Sequence, residues 1–231
     1  MDNIFYAPPV QIGDNVIELR DQEAIHASRA LRYGVGDDIV VVDGRGGWYE
    51  GEVQSVADKS VRIIIQNYVP DKNSQPNVIL GMGIIKKRDR LEFAVEKAVE
   101  LGVKKIAFFR SEYTVKQNIR LDRLNAIALS AMKQSLQAWR PELQAFKNLE
   151  QLAKHYRERD ILVAHQSADA SVNEQTSDHS NSIILIGPEG GFSPSEIDHI
   201  IKQRDGKMVS LGPNRLRAET AVVTALSHYH L

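Results

Sequence analysis

The second two-thirds of the chain alternates short apolar runs with amphipathic helical patterns, and this rhythm restricts the folds open to it. Continuous apolar runs, each about as long as one strand, lie at 78–85, 106–109, 161–164, 183–186 and 208–211. Helical patterns between or after them lie at 86–101, 119–139, 148–157, 194–203 and 217–229. Strands that are apolar throughout are typical of parallel sheets covered on both faces, and helices provide the crossovers between such strands. The pattern predicts an α/β domain with a parallel sheet.

Residues 1–70 follow a different pattern, in which short apolar runs are separated by Gly and Asp turns. Three of these runs are predicted strands, at 38–42, 48–56 and 60–68. The spacing of apolar residues also predicts a short helix over 21–32. Short strands with such turns fit a small β-barrel. The polar stretch 71–77, which contains a proline, is typical of a linker. We therefore predict a barrel domain at 1–70, a linker at 71–77 and the α/β domain at 78–231.

The composition excludes several classes of protein. The 231 residues include no cysteine, which rules out disulfides, thiolate metal sites and cysteine nucleophiles. No apolar run approaches the ~20 residues that a membrane helix requires. The N-terminus lacks the basic and apolar regions of a signal peptide. We expect a soluble cytoplasmic protein without a membrane partner.

The charge of the chain is unevenly distributed. The formal net charge is −1, but residues 1–70 hold 6 basic and 11 acidic side chains, whereas residues 71–231 hold 23 and 19. The basic excess is concentrated in 71–140, with 14 basic and 7 acidic side chains. A total charge near zero argues against binding nucleic acid by bulk charge, but this segment offers a local basic surface to an anion.

Two loops rich in glycine and proline follow buried strands and lead into helices. The first, 186–196, reads Ile-Gly-Pro-Glu-Gly-Gly-Phe-Ser-Pro-Ser-Glu, and its Ser193 and Glu196 have the spacing of a capping box. The second, 211–221, reads Leu-Gly-Pro-Asn-Arg-Leu-Arg-Ala-Glu-Thr-Ala. Glycine allows a backbone to approach a ligand closely, and open α/β sheets bind ligands at the carboxyl ends of their strands. We interpret the two loops as walls of one ligand pocket rather than as ordinary turns.

Other motifs favour no alternative chemistry. Gly81-Met82-Gly83 follows a strand, but the third glycine of a dinucleotide-binding loop is missing, so close packing of the strand is the better interpretation. The sequence has no P-loop, no nucleophile elbow of a serine hydrolase and no H-E-x-x-H pattern. His228 and His230 have no carboxylate at metal-binding spacing. We predict no metal site.

Together with three upstream blocks, the loop pair resembles the SPOUT methyltransferases. More narrowly, it resembles the family of 16S ribosomal RNA uridine-N3 methyltransferases. The upstream blocks are 26–49 with its His-Ala-Ser-Arg-Ala-Leu-Arg start, 86–103 with its Glu-Leu-Gly-Val end, and 133–141 with its Lys-Gln-Ser start and Arg-Pro end. The order and spacing of the five blocks extend over nearly the whole chain. One departure is Asn3, which stands where members often carry an arginine.

The resemblance implies a fold and a set of partners. It implies an N-terminal PUA-like β-barrel that helps to hold RNA, and a C-terminal SPOUT domain whose trefoil knot binds S-adenosylmethionine. It also implies a homodimer, in which each site is completed near the partner subunit. The RNA partner would be 16S ribosomal RNA or the small ribosomal subunit.

The resemblance and the expected chemistry also assign roles to residues. The predicted cofactor-binding residues are His165, Ile186, Gly187, Gly190, Gly191, Leu211, Gly212, Leu216 and Thr220. The predicted catalytic arginines are Arg140, Arg215 and Arg217, which would hold phosphate or the negative charge that develops on the base. Glu189 or Glu219 either accepts the proton of uracil N3 or orients an arginine.

The predicted RNA-binding residues are basic side chains in two parts of the sequence. Lys86, Lys87, Arg88 and Arg90 cluster at a helix start, where cations oppose the helix dipole and therefore suggest a purpose beyond folding. Arg29 and Arg32 would extend this surface on the barrel domain.

The sequence thus predicts an S-adenosylmethionine-dependent methyltransferase acting on uridine N3 of 16S ribosomal RNA. Two alternatives remain. One is another SPOUT RNA methyltransferase, acting on a ribose 2′-oxygen or a different base. The other is a non-catalytic RNA-binding protein of the same fold.

Overall fold

A computed structural model describes residues 3–71, 78–115, 118–175 and 181–228, without the side chain of Asn173. The contacts divide the chain into two compact units. The first spans Met1–Ser74 together with Met132–Arg140, and the second spans Gln75–Ala131 together with Pro141–Leu231. The predicted linker at 71–77 lies outside the described residues except for Asp71.

The first unit contains a curled five-stranded sheet. Its strands are β1 (Phe5–Tyr6), β2 (Val16–Arg20), β3 (Asp38–Val42), β4 (Gly47–Ala57) and β5 (Ser60–Pro70), in the order β1-β3-β4-β5-β2. Among the described strands of this sheet, β1 pairs with β3 in parallel, and the other pairings are antiparallel. Alternate residues such as Val53, Val61 and Ile63 are buried, as expected for strands with one face on the core.

The predicted helix over 21–32 is present but irregular. It begins as α1 (Asp21–Ile25), continues as a π-helical turn over His26–Ala30 and ends before Arg32, whose φ is +62°. A 3₁₀ turn over Pro9–Gln11 connects β1 to β2. The predicted strands correspond to β3, β4 and β5, whereas sequence patterning missed the short β1 and the strand β2.

The second unit is a six-stranded parallel sheet, as predicted. Its strands are β6 (Ile79–Gly83), β7 (Lys105–Phe109), β8 (Glu142–Phe146), β9 (Asp160–Ala164), β10 (Ser182–Ile186) and β11 (Lys207–Val209). The strand order is β11-β9-β10-β6-β7-β8, and every pairing among these strands is parallel. Strands β6 and β10 are buried along their whole length, which explains why their sequences are continuous apolar runs.

Helices connect and cover these strands. They are α2 (Arg88–Glu100), α3 (Leu121–Gln134), α4 (Leu149–His155), α5 (Val172–Gln175), α6 (Pro194–Asp198), which continues as a π-helical turn over His199–Gln203, and α7 (Ala218–Ser227). Gly102 has a φ of +70°, and the Val103 N–H donates to the Ala98 carbonyl at 3.0 Å. This Schellman motif confirms the predicted end of α2 at Gly102. Among the described residues, every helix is too short or too polar to span a bilayer.

Two predictions about 119–146 are wrong. The predicted helix over 119–139 ends at Gln134, because Leu136 adopts a φ of +52° and the Gln137 N–H donates to the Met132 carbonyl. This is a Schellman end without the usual glycine, so the sequence carried no stop signal there. The strand β8 was not predicted at all, because it is an edge strand in which Glu142 and Gln144 interrupt the apolar residues.

Candidate active site

A deep concave feature of the second unit lies at the carboxyl ends of β9, β10 and β11. It is a cavity of about 570 Å³, within the range of small-molecule and cofactor sites. The cavity is lined by the loops that follow these strands and by the start of α7. The lining residues are Arg90, Ala164, His165, Gln166, 186–192, Leu211, Gly212, 214–218 and Ala221. The two glycine-rich loops therefore form one pocket wall, as the sequence predicted.

The first glycine-rich loop turns tightly at the end of β10. Gly191 has a φ of +70°, and its N–H donates to the Pro188 carbonyl at 2.9 Å. A Cβ atom added to Gly187 would lie 3.2 Å from the Cα of Gly191, a tight contact, and the positive φ of Gly191 itself favours glycine. The result is a cavity wall made largely of backbone.

Gly81 and Gly83 of β6 pack against β10 and its loop. A Cβ atom on Gly83 would lie 2.6 Å from the backbone nitrogen of Pro188, and a Cβ atom on Gly81 would collide with the Leu185 side chain. This confirms the interpretation of these glycines as packing residues. It also shows that Gly83 holds the first loop in place without lining the cavity.

The capping box at the start of α6 connects the loop to the end of β7. The Ser193 N–H donates to Glu196 Oε2 at 2.8 Å, and the Glu196 N–H donates back to Ser193 Oγ, as predicted. The same carboxylate accepts from Ser111 Oγ at 2.8 Å and from the Glu112 N–H at 3.1 Å. Ser111 Oγ is also 3.1 Å from the Gly191 carbonyl. Sequence reasoning missed Ser111, because the pairing joins residues 85 positions apart.

The second loop leads from β11 into α7. Gly212 has a φ of +121°, a conformation that residues with a side chain rarely adopt. Ala218 and Ala221 lie on one helical face and line the cavity. Thr220 does not line it and is exposed, because a helical step of about 100° from Ala221 turns it away. Arg215 and Arg217 line the cavity and are both exposed to solvent.

His165 lies on the cavity wall directly after β9. Its Nδ1 accepts from the Ser167 N–H at 3.2 Å and lies 2.7 Å from Ser167 Oγ. With Nδ1 accepting, the neutral ring carries its proton on Nε2, which makes Nε2 a hydrogen-bond donor. The backbone N–H of His165 donates to the Val209 carbonyl, which connects the ends of β9 and β11.

The two predicted acidic residues both contact groups around α2. The Glu189 carboxylate accepts from the Lys86 backbone N–H, at 3.1 Å and 3.2 Å for its two oxygens. Glu219 Oε1 lies 3.4 Å from Arg90 Nε, and Glu219 Oε2 is buried without a hydrogen-bond partner among the described residues. Arg90 lines the cavity, whereas Glu219 lies behind it. The geometry of Glu219 favours the orienting role over the proton-accepting role.

The basic residues predicted to bind RNA have different surroundings. Arg88 and Arg123 both bind the Glu92 carboxylate, and their hydrogen bonds, that of Arg123 first, lower the pKa of Glu92 to about 2. Lys86 and Lys87 are exposed, with no ion pair among the described residues. In the first unit, Arg29 pairs with Asp58, and Arg32 is exposed.

Arg140 belongs to the first unit. Its guanidinium carbon lies 5.6 Å from the centre of the Tyr6 ring, and its Nη1 donates to the Tyr6 hydroxyl at 3.3 Å. Its backbone N–H donates to the Gly44 carbonyl. Its predicted catalytic role stays a prediction. The described residues contain no group of three His, Asp or Glu side chains that could hold a metal ion.

Comparison with protein families identifies the class to which this fold and cavity belong. Residues 72–230 match the family model of an RNA methyltransferase domain, and residues 19–66 match that of an RNA methyltransferase PUA domain. The chain is therefore an RNA methyltransferase with a PUA domain, and the predicted fold class is confirmed.

Individual relatives narrow the identification. The chain is 31% identical to the ribosomal RNA small subunit methyltransferase E of Mesomycoplasma hyopneumoniae, over 76% of this chain and 78% of the relative. It is 26% identical to the enzyme of the same name from Rickettsia conorii, over 93% of this chain and 89% of the relative. The chain belongs to the ribosomal RNA small subunit methyltransferase E family.

Solved structures agree with this assignment. A probable rRNA-methyltransferase from Porphyromonas gingivalis has a TM-score of 0.88 and 31% identity, over 99% of this chain and 97% of that one. A ribosomal RNA small subunit methyltransferase E from Neisseria gonorrhoeae, bound to S-adenosyl methionine, also has a TM-score of 0.88. Its identity is 26%, and the match covers 99% of this chain and 96% of that one.

Proposed function

We propose that the protein transfers a methyl group from S-adenosylmethionine to N3 of one uridine in 16S ribosomal RNA. The observation that carries the proposal is the cavity formed by both glycine-rich loops, in a chain that belongs to a family of ribosomal RNA methyltransferases. The Neisseria gonorrhoeae relative binds S-adenosyl methionine, which supports the same cofactor here.

The residues of the cavity fit this cofactor. A wall built from Gly187, Gly191 and Gly212 presents backbone without side chains, which allows a flat adenine and a ribose to approach closely. His165 Nε2 adds one side-chain donor at the rim. The exposed guanidinium groups of Arg215 and Arg217 suit the carboxylate of a methionine moiety or an RNA phosphate. The other predicted lining residues, Ile186, Gly190, Leu211 and Leu216, complete the wall.

The reaction requires two contributions. S-adenosylmethionine supplies, when bound, a methyl group activated by a positively charged sulfur. Because uracil N3 carries a proton at neutral pH, the chain has to favour the deprotonated base and align it with the methyl group. Arg215 and Arg217 at the cavity mouth would stabilise the negative charge of that base. The loops would restrict its orientation.

The remaining partners follow from the family and from the exposed cations. Lys86 and Lys87 would contact RNA phosphates beside the cavity, with Arg29 and Arg32 of the PUA domain as further contacts. Arg140 is proposed to assist at the same RNA. We also propose a knotted C-terminal domain, a homodimer and a cytoplasmic location, where ribosomal RNA is assembled.

Mass spectrometry of nucleosides from 16S ribosomal RNA tests the proposal. RNA from cells that lack the gene should contain less N3-methyluridine than RNA from the parent strain, and adding back the gene should restore it. A loss of a different methylated nucleoside would support another specificity instead. Isothermal titration with S-adenosylmethionine tests the non-catalytic alternative. An RNA-binding protein without activity has no need for this cofactor, so the absence of cofactor binding would favour that alternative.

A further inference from the structure

A second, smaller cavity lies at the other end of the same sheet edge. Its volume is about 260 Å³, and its lining residues are Ile84, Arg110, Asn118, Ile119, Leu121, Ala145, Phe146 and Lys147. Ile84 follows β6 and Arg110 follows β7, while Phe146 and Lys147 lie at the end of β8. The cavity is therefore formed at the carboxyl ends of β6, β7 and β8, roofed by the start of α3.

The charge of this cavity has one sign. Among the described residues that line it, Arg110 and Lys147 are the charged side chains, and none is Asp or Glu. Neither side chain makes an ion pair or a hydrogen bond within the described parts of the chain. The acid nearest to Arg110 along the chain, Glu112, accepts from Ser195 Oγ at 3.2 Å and does not line the cavity. Two unpaired cations in a concave site attract an anion.

The rest of the lining is largely apolar. The partly buried Ile119 and Phe146 provide surface suited to a sugar or a base above the buried Ile84, and Asn118 provides an amide. An arginine with a free planar fork is the side chain best matched to phosphate. A phosphate joined to a sugar and a base would use both the cations and the apolar surface, whereas an inorganic anion would use only the cations.

The position of the cavity relates it to the active site. Strand β7 is two strands away from β10, whose loop lines the active-site cavity, and neighbouring strands lie about 4.8 Å apart. The nearest wall of the active-site cavity thus lies about 10 Å along the sheet edge from the middle of the second cavity. This spacing suits neighbouring nucleotides of one RNA strand.

We propose that the second cavity binds a nucleotide flanking the target uridine, with its phosphate on Arg110 and Lys147. The inference rests on the proposed function, because it takes the RNA substrate as the ligand. It adds a subsite that would select the conformation of the RNA on one side of the methylated base.

Charge-removing variants provide the first test. Arg110→Gln and Lys147→Gln are compared with Lys104→Gln, an exposed lysine at the opposite end of β7. The RNA ligand is a short strand that carries the uridine mapped by mass spectrometry. We expect about tenfold weaker RNA binding for Arg110→Gln and a smaller loss for Lys147→Gln. The slope of the logarithm of the affinity against the logarithm of the salt concentration should become shallower by about 0.7 for each lost phosphate contact. The control variant should keep wild-type affinity.

A modified RNA identifies the source of the anion. A methylphosphonate at one position beside the target removes a single phosphate charge. This change should weaken binding to the wild-type protein and have little further effect on the Arg110→Gln/Lys147→Gln double variant. Additive losses at every methylphosphonate position would overturn the proposal, as would variants that behave like Lys104→Gln. Competition by inorganic phosphate alone at the same affinity would instead indicate a free-anion site.

The same measurements separate this inference from the proposed function. Unchanged S-adenosylmethionine affinity shows that the variants are folded. If the wild-type protein methylates the RNA but the cavity variants match the control, only the subsite proposal fails. If the wild-type protein transfers no methyl group to this RNA, the proposed function fails.

Discussion

The two ends of the carboxyl edge of the parallel sheet are built in different ways. At the β9-β10-β11 end, glycine-rich loops form the cavity wall from backbone and small side chains. At the β6-β7-β8 end, the corresponding wall consists of long side chains, some apolar and some cationic, which include Phe146, Arg110 and Lys147. A backbone wall recognises a ligand by shape and by closely placed polar groups, whereas a side-chain wall recognises charge. One sheet edge thus offers two kinds of recognition.

Local requirements explain this difference. After β10 the chain passes so close to β6 that Gly83 has no space for a Cβ atom, and after β11 the φ of +121° at Gly212 favours glycine. After β8 the chain enters α4 directly, with Asn148 as an N-cap that accepts from the Gln151 N–H at 2.9 Å. That connection leaves Lys147 free to project from the edge. Three predictions sharpen this contrast, in order of decreasing effect.

Gly83→Ala should have the largest effect, because it displaces the backbone wall. The new Cβ atom would lie 2.6 Å from the Pro188 nitrogen, so the first loop has to move. Overpacking of this kind costs about 2 kcal/mol. If the displaced loop has to return to its wild-type position to bind S-adenosylmethionine, the same cost weakens binding about thirtyfold. Isothermal titration measures the affinity.

A matched glycine variant controls this experiment. In Gly34→Ala the nearest atom to the new Cβ, Asp37 Oδ2, is 3.9 Å away, and the variant should bind the cofactor normally. Wild-type affinity in Gly83→Ala would mean that the position of the loop does not depend on its packing against β6.

Arg90→Met should have an intermediate effect, because it removes the ion partner of Glu219 behind the cavity wall. The exposed fractions of the two side chains are 24% and 13%, so the remaining carboxylate stays mostly shielded from water. We expect the free energy of unfolding to fall by about 1.5 kcal/mol, since breaking a buried pair leaves one charge uncompensated. Urea denaturation measures it.

The double variant Arg90→Met/Glu219→Gln tests the cause of that loss. Removing the charge of Glu219 as well should recover about half of the lost stability. If the losses of the single variants simply add, Arg90 and Glu219 are not coupled, and the orienting role of Glu219 is wrong.

Glu92→Gln should have the smallest effect. Arg123 and Arg88 hold the pKa of Glu92 at about 2, below its ordinary value of 4.5. A lowered carboxyl pKa contributes stability that is complete above about pH 4.5 and is lost as the pH falls towards 2. Both arginines are about half exposed, so solvent screening limits the contribution to about 0.5 kcal/mol at pH 7.

The pH dependence is the diagnostic part of this prediction. The difference in free energy of unfolding between wild-type protein and Glu92→Gln should be constant from pH 8 to pH 5 and shrink below pH 4.5. Asp14→Asn, an exposed carboxylate outside any ion pair among the described residues, should show no such trend. A difference that stays constant to pH 3 would show that Arg88 and Arg123 do not stabilise the folded protein through this carboxylate.

Sequence patterns predicted the site where the signal was local. The capping box of Ser193 and Glu196, the C-cap at Gly102 and the packing role of Gly83 all depend on backbone conformation or on the lack of a side chain. The patterns failed where conformation and residue type disagreed. Leu136 ends α3 in a conformation usually reserved for glycine, and β8, without a continuous apolar run, forms because it pairs with β7.

The sequence by itself determined the parallel α/β class, the two glycine-rich loops and the separate β-rich first part. Burial on both faces and backbone conformation leave a periodic or compositional mark on nearby residues. Only the tertiary structure decided which distant groups come together: Glu189 binds the Lys86 amide 103 positions away, Glu196 binds Ser111, and Arg110 and Lys147 line one cavity. Those meetings depend on strand order, and strand order is set by packing of the whole sheet, which no local pattern encodes.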